Sequence, residues 1–176
     1  MAGTAPLKLR AADVEDLRVI AAVLQDALVP LSDMTFQRRE RRFVLVANRF
    51  RWESREGDRA AAEGEPESQV ADSQADGDAS FADGEAEPLY ERVNCGVRFG
   101  KVANVKMRGL DSRQRDQILN LLTIDAEPGA VTLVFADGAA IRLDVSGVDC
   151  HLEDIGEPWP TRWRPFHELD DADGGD

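Results

Sequence analysis

The densest store of reactive side chains is "VDCHLEDIGEPWPTRWRPFHE", residues 148 to 168, which holds Cys150, His151, Glu153, Asp154 and His167. Groups of these types could hold a metal ion or activate a thiol nucleophile. Strand periodicity argues against both readings. With a period of two, Val148, Cys150 and Leu152 face the core while Asp149, His151 and Glu153 face solvent, so Cys150 and His151 do not meet on one ligand. The chain has only two cysteines and two histidines, and neither cysteine lies in a Cys-x-x-Cys spacing, so neither a metal nor a cofactor is expected. Cys95 and Cys150 both sit in alternating patterns that predict burial, which leaves a thiol inert, and no catalytic residue is assigned. The carboxylate pairs Glu153-Asp154 and Asp170-Asp171 read as a solvated turn and a solvated tail. Glycine-rich phosphate loops, the HExxH zinc motif and the GxSxG nucleophile elbow do not occur in the sequence, which lowers the expectation of common nucleotide-dependent or hydrolytic chemistry.

Two stretches keep functional weight. "RRERRFVLVANRFRW" sets Arg38, Arg39, Arg41, Arg42, Arg49 and Arg51 beside Phe50 and Trp52, a mixture that could follow a phosphate backbone and stack bases. The blander reading is a solvated hairpin whose arginines pair with carboxylates, including those of an acidic segment further along; it is preferred because the ordered part of the chain is close to neutral. "EPWPTRWRPFHE" brings Trp159, Arg162, Trp163 and Arg164 into a proline-stiffened, extended segment expected to lack regular ladder bonding. Its rings are expected to cover an edge or face of the chain's own sheet, with a partner-binding strip as the alternative.

These groups depend on elements that the pattern of apolar residues outlines. Leu17, Ile20, Ala21, Leu24, Ala27 and Leu28 recur at three-and-four spacing, which predicts an amphipathic helix over about 13 to 28, capped by Asp13 and ended by Pro30. "LKLRA" alternates as a short strand. "DMTFQRRERRFVLVANRFRWE" predicts two strands joined at Arg39-Glu40-Arg41, the second starting as a run buried on both faces and then alternating Phe50 and Trp52 against Arg49 and Arg51. Val93, Cys95, Val97 and Phe99 share one face of a further strand, and Gly100 reads as a bulge before Val105 and Met107. Residues 117 to 127 are ambiguous between helix and strand, with strand favoured for the second half. "AVTLVFADGAAIRLDV" is a hairpin turning at Asp137-Gly138, and Ser146-Gly147 leads into the strand from Val148.

The 176 residues, 43% apolar, allow one ordinary domain. The formal charge of −13 is unevenly spread. Residues 54–88 carry 11 Asp and Glu against 2 Arg, and residues 167–176 carry 5 acidic groups and no Lys or Arg, so the remaining residues are nearly neutral. Both acidic segments are poor in large apolar groups and are expected to be disordered, leaving residues 1–53 and 89–166 as a single folded domain. With no long apolar run and no charged, apolar leader, the chain is expected to be cytoplasmic and to have no membrane contact.

The phrases "LKLRAADVEDLRVIAAVLQDALV", "DMTFQRRERRFVLVANRFRWE", "VRFGKVANVKMRGLD" and "VTLVFADGAAIRLDVSGVDCHLEDIGEPWPTR" resemble, in this order, a chiefly alphaproteobacterial family known as domain of unknown function 2948. The resemblance spans nearly the whole chain outside the acidic insertion and tail. It implies a single-domain cytosolic protein and attaches no activity, cofactor or catalytic residue.

The fold class expected is α+β, with one N-terminal amphipathic helix packed on an antiparallel, largely meandering sheet of about seven or eight strands, either curled toward a barrel or split into two layers. The function expected is that of a small non-enzymatic protein that binds a macromolecular partner, a protein in preference to nucleic acid. The alternatives are a small-ligand module or enzyme with a helix–sheet cleft lined by Trp52, Arg49 and the C-terminal aromatics, and nucleic-acid or ribosome association through Arg38 to Arg42.

Overall fold

Asp13 opens the helix by accepting a hydrogen bond from the Asp16 amide at 2.9 Å, with Glu15 and Asp16 at the positive end of the helix dipole. The computed structural model describes residues 5–53 and 90–162; the expected disordered insertion and tail lie outside the described residues, as do Trp163 and Arg164. The elements are β1 (Lys8–Ala11), α1 (Val14–Val23), β2 (Ala27–Pro30), β3 (Met34–Gln37), β4 (Arg42–Phe50), β5 (Tyr90–Phe99), β6 (Val102–Arg108), β7 (Ile118–Glu127), β8 (Ala130–Phe135), β9 (Ala140–Val145) and β10 (Cys150–Thr161).

The helix is shorter than its periodicity predicts. Asp26 takes a φ of 61°, which breaks the helical path, and Ala27–Pro30 becomes a strand, with Leu28 opposite Asn48 on one side and Asn120 on the other. A strand pairing on both flanks outweighs the local helical pattern of Ala27 and Leu28. This strand is one reason that the sheet has ten members rather than the seven or eight expected.

Every strand pair is antiparallel, in the order β1-β10-β5-β4-β2-β7-β8-β9-β6, with β3 pairing on β4. The hairpins β3–β4, β7–β8 and β8–β9 and the pair β4–β5 follow chain order, whereas β10 reaches back between β1 and β5. The path ends at β1 and β6, which do not pair with each other, so the sheet is not a closed barrel. Gly100 is not a bulge within one strand. Lys101, at φ 57°, turns the chain tightly between β5 and β6. Residues 118–127 are strand throughout.

Leu17 and Ile20 of α1 join Phe43, Leu45, Val97, Phe99, Leu121, Leu133, Phe135, Ile141, Leu143 and Leu152 in one buried cluster. Burial of this kind supplies about 1.5–3 kcal/mol per large side chain. Where the insertion leaves and re-enters the sheet, the two chain ends are neighbours: the Arg51 amide donates to the Glu91 carbonyl at 2.9 Å, and the Arg51 guanidinium pairs with the Glu91 carboxylate. The fold therefore does not need the insertion to bring β4 and β5 together. Replacing residues 56–88 by a short Gly/Ser linker is expected to change stability by about 1 kcal/mol or less, because loop closure depends on length only logarithmically. Chemical denaturation of the two chains checks this; a loss of several kcal/mol would show that the insertion packs on the sheet.

Candidate functional site

Alternation along β4 decides which arginines reach solvent. Phe43, Leu45 and Ala47 face the core, and Arg49 has the same parity, so its side chain enters the interior and is fully buried. On β10, Cys150, Leu152 and Asp154 likewise share the inner face, and Asp154 meets Arg49 there. Arg49 Nε donates to Asp154 Oδ1 and Nη2 to Asp154 Oδ2, both at 2.8 Å. Nη2 and Nη1 also donate to Glu53 Oε1 and Oε2 at 2.7 and 3.1 Å, and Nη1 reaches the Phe50 carbonyl at 3.4 Å. All five guanidinium N–H groups thus have acceptors. Asp154 Oδ2 further accepts from the Leu7 amide at 3.0 Å, which ties the start of the chain to the same point.

Desolvation by burial alone would lower the Arg49 pKa; its bonds to Asp154 and Glu53 outweigh that and hold it above the ordinary arginine value. Burial likewise pushes the Glu53 carboxyl upward, but the Arg49 hydrogen bond outweighs it and leaves the group below its usual value. Arg51 is buried too, beside Glu91 and 3.7 Å from Glu53. Two arginines expected on a partner-binding face are therefore internal, and Asp154, read from sequence as part of a solvated turn, is the buried counter-ion of Arg49. The signal was present in the parity of Ala47 with Arg49 and of Leu152 with Asp154.

The aromatics beside these arginines are not offered to bases. Phe50 is fully buried, its ring lies 4.5 Å from that of Trp52 and 5.4 Å from that of Tyr90, and the Arg92 guanidinium sits over it at 5.9 Å. Arg92 also donates to the Asn48 carbonyl and side chain at 3.2 and 3.0 Å. Trp159 is half-buried on β10, opposite Arg92, and Arg162 is exposed. The proline-rich segment keeps regular ladder pairing, against expectation: after an irregularity between Ile155 and Trp159, eased by Gly156 at φ 76°, pairing with β5 resumes through Pro160 and Thr161. β1 pairs with β10 only as far as Glu153, so this part of β10 is an edge where proline is tolerated.

The opposite end of β4 carries the exposed arginines. Arg38, Arg39 and Arg41 lie in the β3–β4 turn, Arg41 at φ 53°, and its carbonyl accepts from the Val102 amide at 2.8 Å, which holds the tip against the Lys101 turn. Arg38 lies over the Phe36 ring at 5.9 Å, and Arg42 donates to the Gln37 side chain. Among the described residues no carboxylate forms an ion pair with Arg38, Arg39, Arg41 or Arg42.

Cys150 and His151 occupy opposite faces, with the thiol fully buried and His151 3.2 Å from Asp149. Burial pushes the Cys95 and Cys150 thiols up to about 12, so neither is a thiolate near neutral pH. A helix–sheet cleft of about 930 Å³ is present, but α1, Arg108 and strands β7 and β8 line it, not Trp52 or Arg49. Two of the charges that line it pair with neighbours, Arg18 with Glu15 at 2.8 Å and Glu127 with Arg142 at 2.5 Å.

The arrangement defines an α+β domain with an internally neutralised ion cluster at one end of β4 and, at the other, a turn whose three arginines outnumber Glu40 and form no ion pair among the described residues. Residues 7–167 match the family model described as a protein of unknown function, DUF2948, and the chain belongs to that family. No curated protein and no solved structure matches it. No helix among the described residues is long and apolar enough to cross a membrane.

Removing Arg49 leaves Asp154 buried and unpaired, so Arg49→Met is expected to destabilise the domain by about 3–5 kcal/mol, whereas Arg49→Met combined with Asp154→Leu recovers most of that loss. Denaturant titration of both variants checks it. Because the Glu53 pKa is lowered on folding, its stabilisation is complete above the ordinary glutamate range and is lost as pH falls through the lower folded value. The stability difference between wild type and Glu53→Gln should therefore shrink on acidification. For the thiols, Ellman's reagent is expected to react with Cys95 and Cys150 only after denaturant unfolds the sheet; rapid reaction of the native protein would contradict their burial.

Proposed function

We propose that this domain is a non-enzymatic binding module whose basic turn, Arg38, Arg39 and Arg41 with Lys101 beside it, docks an acidic macromolecular partner, a protein in preference to nucleic acid. The observation that carries the reading is the contrast along one strand. Arg49 and Arg51 are neutralised inside the fold, while the turn arginines project from a main chain anchored by Val102 without carboxylate pairing among the described residues. Like charges held close together repel, a cost that an acidic partner removes on binding, and the same field would steer that partner to the turn. The rings of Trp52 and Tyr90 pack against Phe50, and the Phe36 ring beside the turn is covered by Arg38, which supports a protein over a nucleic acid.

Two unpaired, buried cysteines support a cytoplasmic, reducing location. The alternative of a small ligand in the helix–sheet cleft has less support, since two of its charges, Arg18 and Glu127, are already paired with neighbours. Affinity capture from native lysate tests the proposal, with wild type compared against Arg38→Glu/Arg39→Glu. A protein retained by wild type, lost by the variant and weakened by added salt is the expected result. An unchanged set of retained proteins would sink it, and retention that nuclease abolishes would replace the protein with nucleic acid.

A further inference from the structure

A second feature on the same face concerns what kind of protein segment could bind. Val44 and Val46 of β4, Gly96 of β5 and Thr35 of β3 line a shallow, mostly apolar groove of about 430 Å³, with Asp33 at one rim and Arg98 at the other. Its depth comes from Gly96, which has Val46 on one side and Glu153 on the other; a Cβ there would lie 3.2 Å from Ile155 Cδ1. Val46 is 37% and Ile155 51% exposed, so two aliphatic side chains flank a glycine in solvent.

The groove's basic rim continues into charge. Arg98 is exposed, has no ion-pair partner among the described residues, and stands opposite His151, itself opposite Arg10. Along β4 the outward residue after Val44 is Arg42, at the base of the basic turn. Outward positions on a strand step about 7 Å apart, so an extended segment of roughly five or six residues would span from Val46 to the turn.

We propose that this groove binds an extended protein segment carrying aliphatic side chains followed by acidic residues. The aliphatic groups seat over Val44 and Val46 beside Gly96, and the carboxylates meet Arg98 and Arg42. Charge complementarity selects the acidic part and the aliphatic lining selects the apolar part. The inference rests on the reading of the basic turn as a partner surface and specifies the partner's chemistry.

The test is selection of random 12-residue peptides displayed on phage against the full chain, followed by fluorescence polarisation with the enriched peptides. Enrichment of sequences with aliphatic residues preceding Asp or Glu is expected, with binding weakened at least tenfold by Val46→Lys and by Arg98→Glu at unchanged melting temperature. Failure to enrich, enrichment without acidic residues, or binding indifferent to both variants would overturn it. So would a labelled oligouridylate that bound as tightly as the peptides and responded to the same variants. If Arg38→Glu/Arg39→Glu abolishes partner capture while Val46→Lys and Arg98→Glu do not, the groove is wrong and the basic turn stands. If capture ignores the turn variant but peptide binding follows the groove variants, the reverse holds.

Discussion

A guanidinium placed in the interior of a sheet is the constraint around which the rest of the molecule is arranged. Transferring Arg49 and Asp154 out of water costs several kcal/mol per ion, and only a complete set of partners makes it tolerable. Asp154 comes from β10 and the Leu7 amide from just before β1, both far from Arg49 in the chain, while Glu53 lies just past the end of β4. Since a charge network of this kind is satisfied in only one alignment, it fixes the register of β10 between β1 and β5 in a way that interchangeable aliphatic contacts would not. It also lies beside the point where the long acidic insertion begins, directly after Glu53.

The same strand that buries Arg49 presents a different charge balance at its other end. Polar neutralisation is spent inside, at Asp154, Glu53 and Glu91, while the β3–β4 turn is left with cations facing water. The aliphatic groove beside Arg98 lies between these two ends, on the outward face. Thus the length of one strand separates a structural ion cluster from an exposed basic turn.

Much of this was legible in period-two reasoning. The division of Cys150 from His151, the Asp137-Gly138 hairpin and the burial of the odd-numbered residues from Val93 to Phe99 all follow from it. Residue type points the wrong way where parity points the right way: Arg49 reads as a partner-binding cation although it shares the parity of Ala47, and Asp154 reads as part of a solvated turn although it shares that of Leu152. Helical periodicity failed at Ala27 and Leu28, where the choice belonged to strands β4 and β7, contributed by residues up to 94 positions away.

The sequence by itself determined the capped N-terminal helix, the strands with strong alternation and the burial of the cysteines, because each rests on neighbours within a few residues. Tertiary structure decided which arginines are inside, what neutralises them, the place of β10 between β1 and β5, and the groove at Gly96. Those depend on which strands become neighbours, and antiparallel pairing over long sequence separations is set by the joint burial of both faces rather than by any local signal.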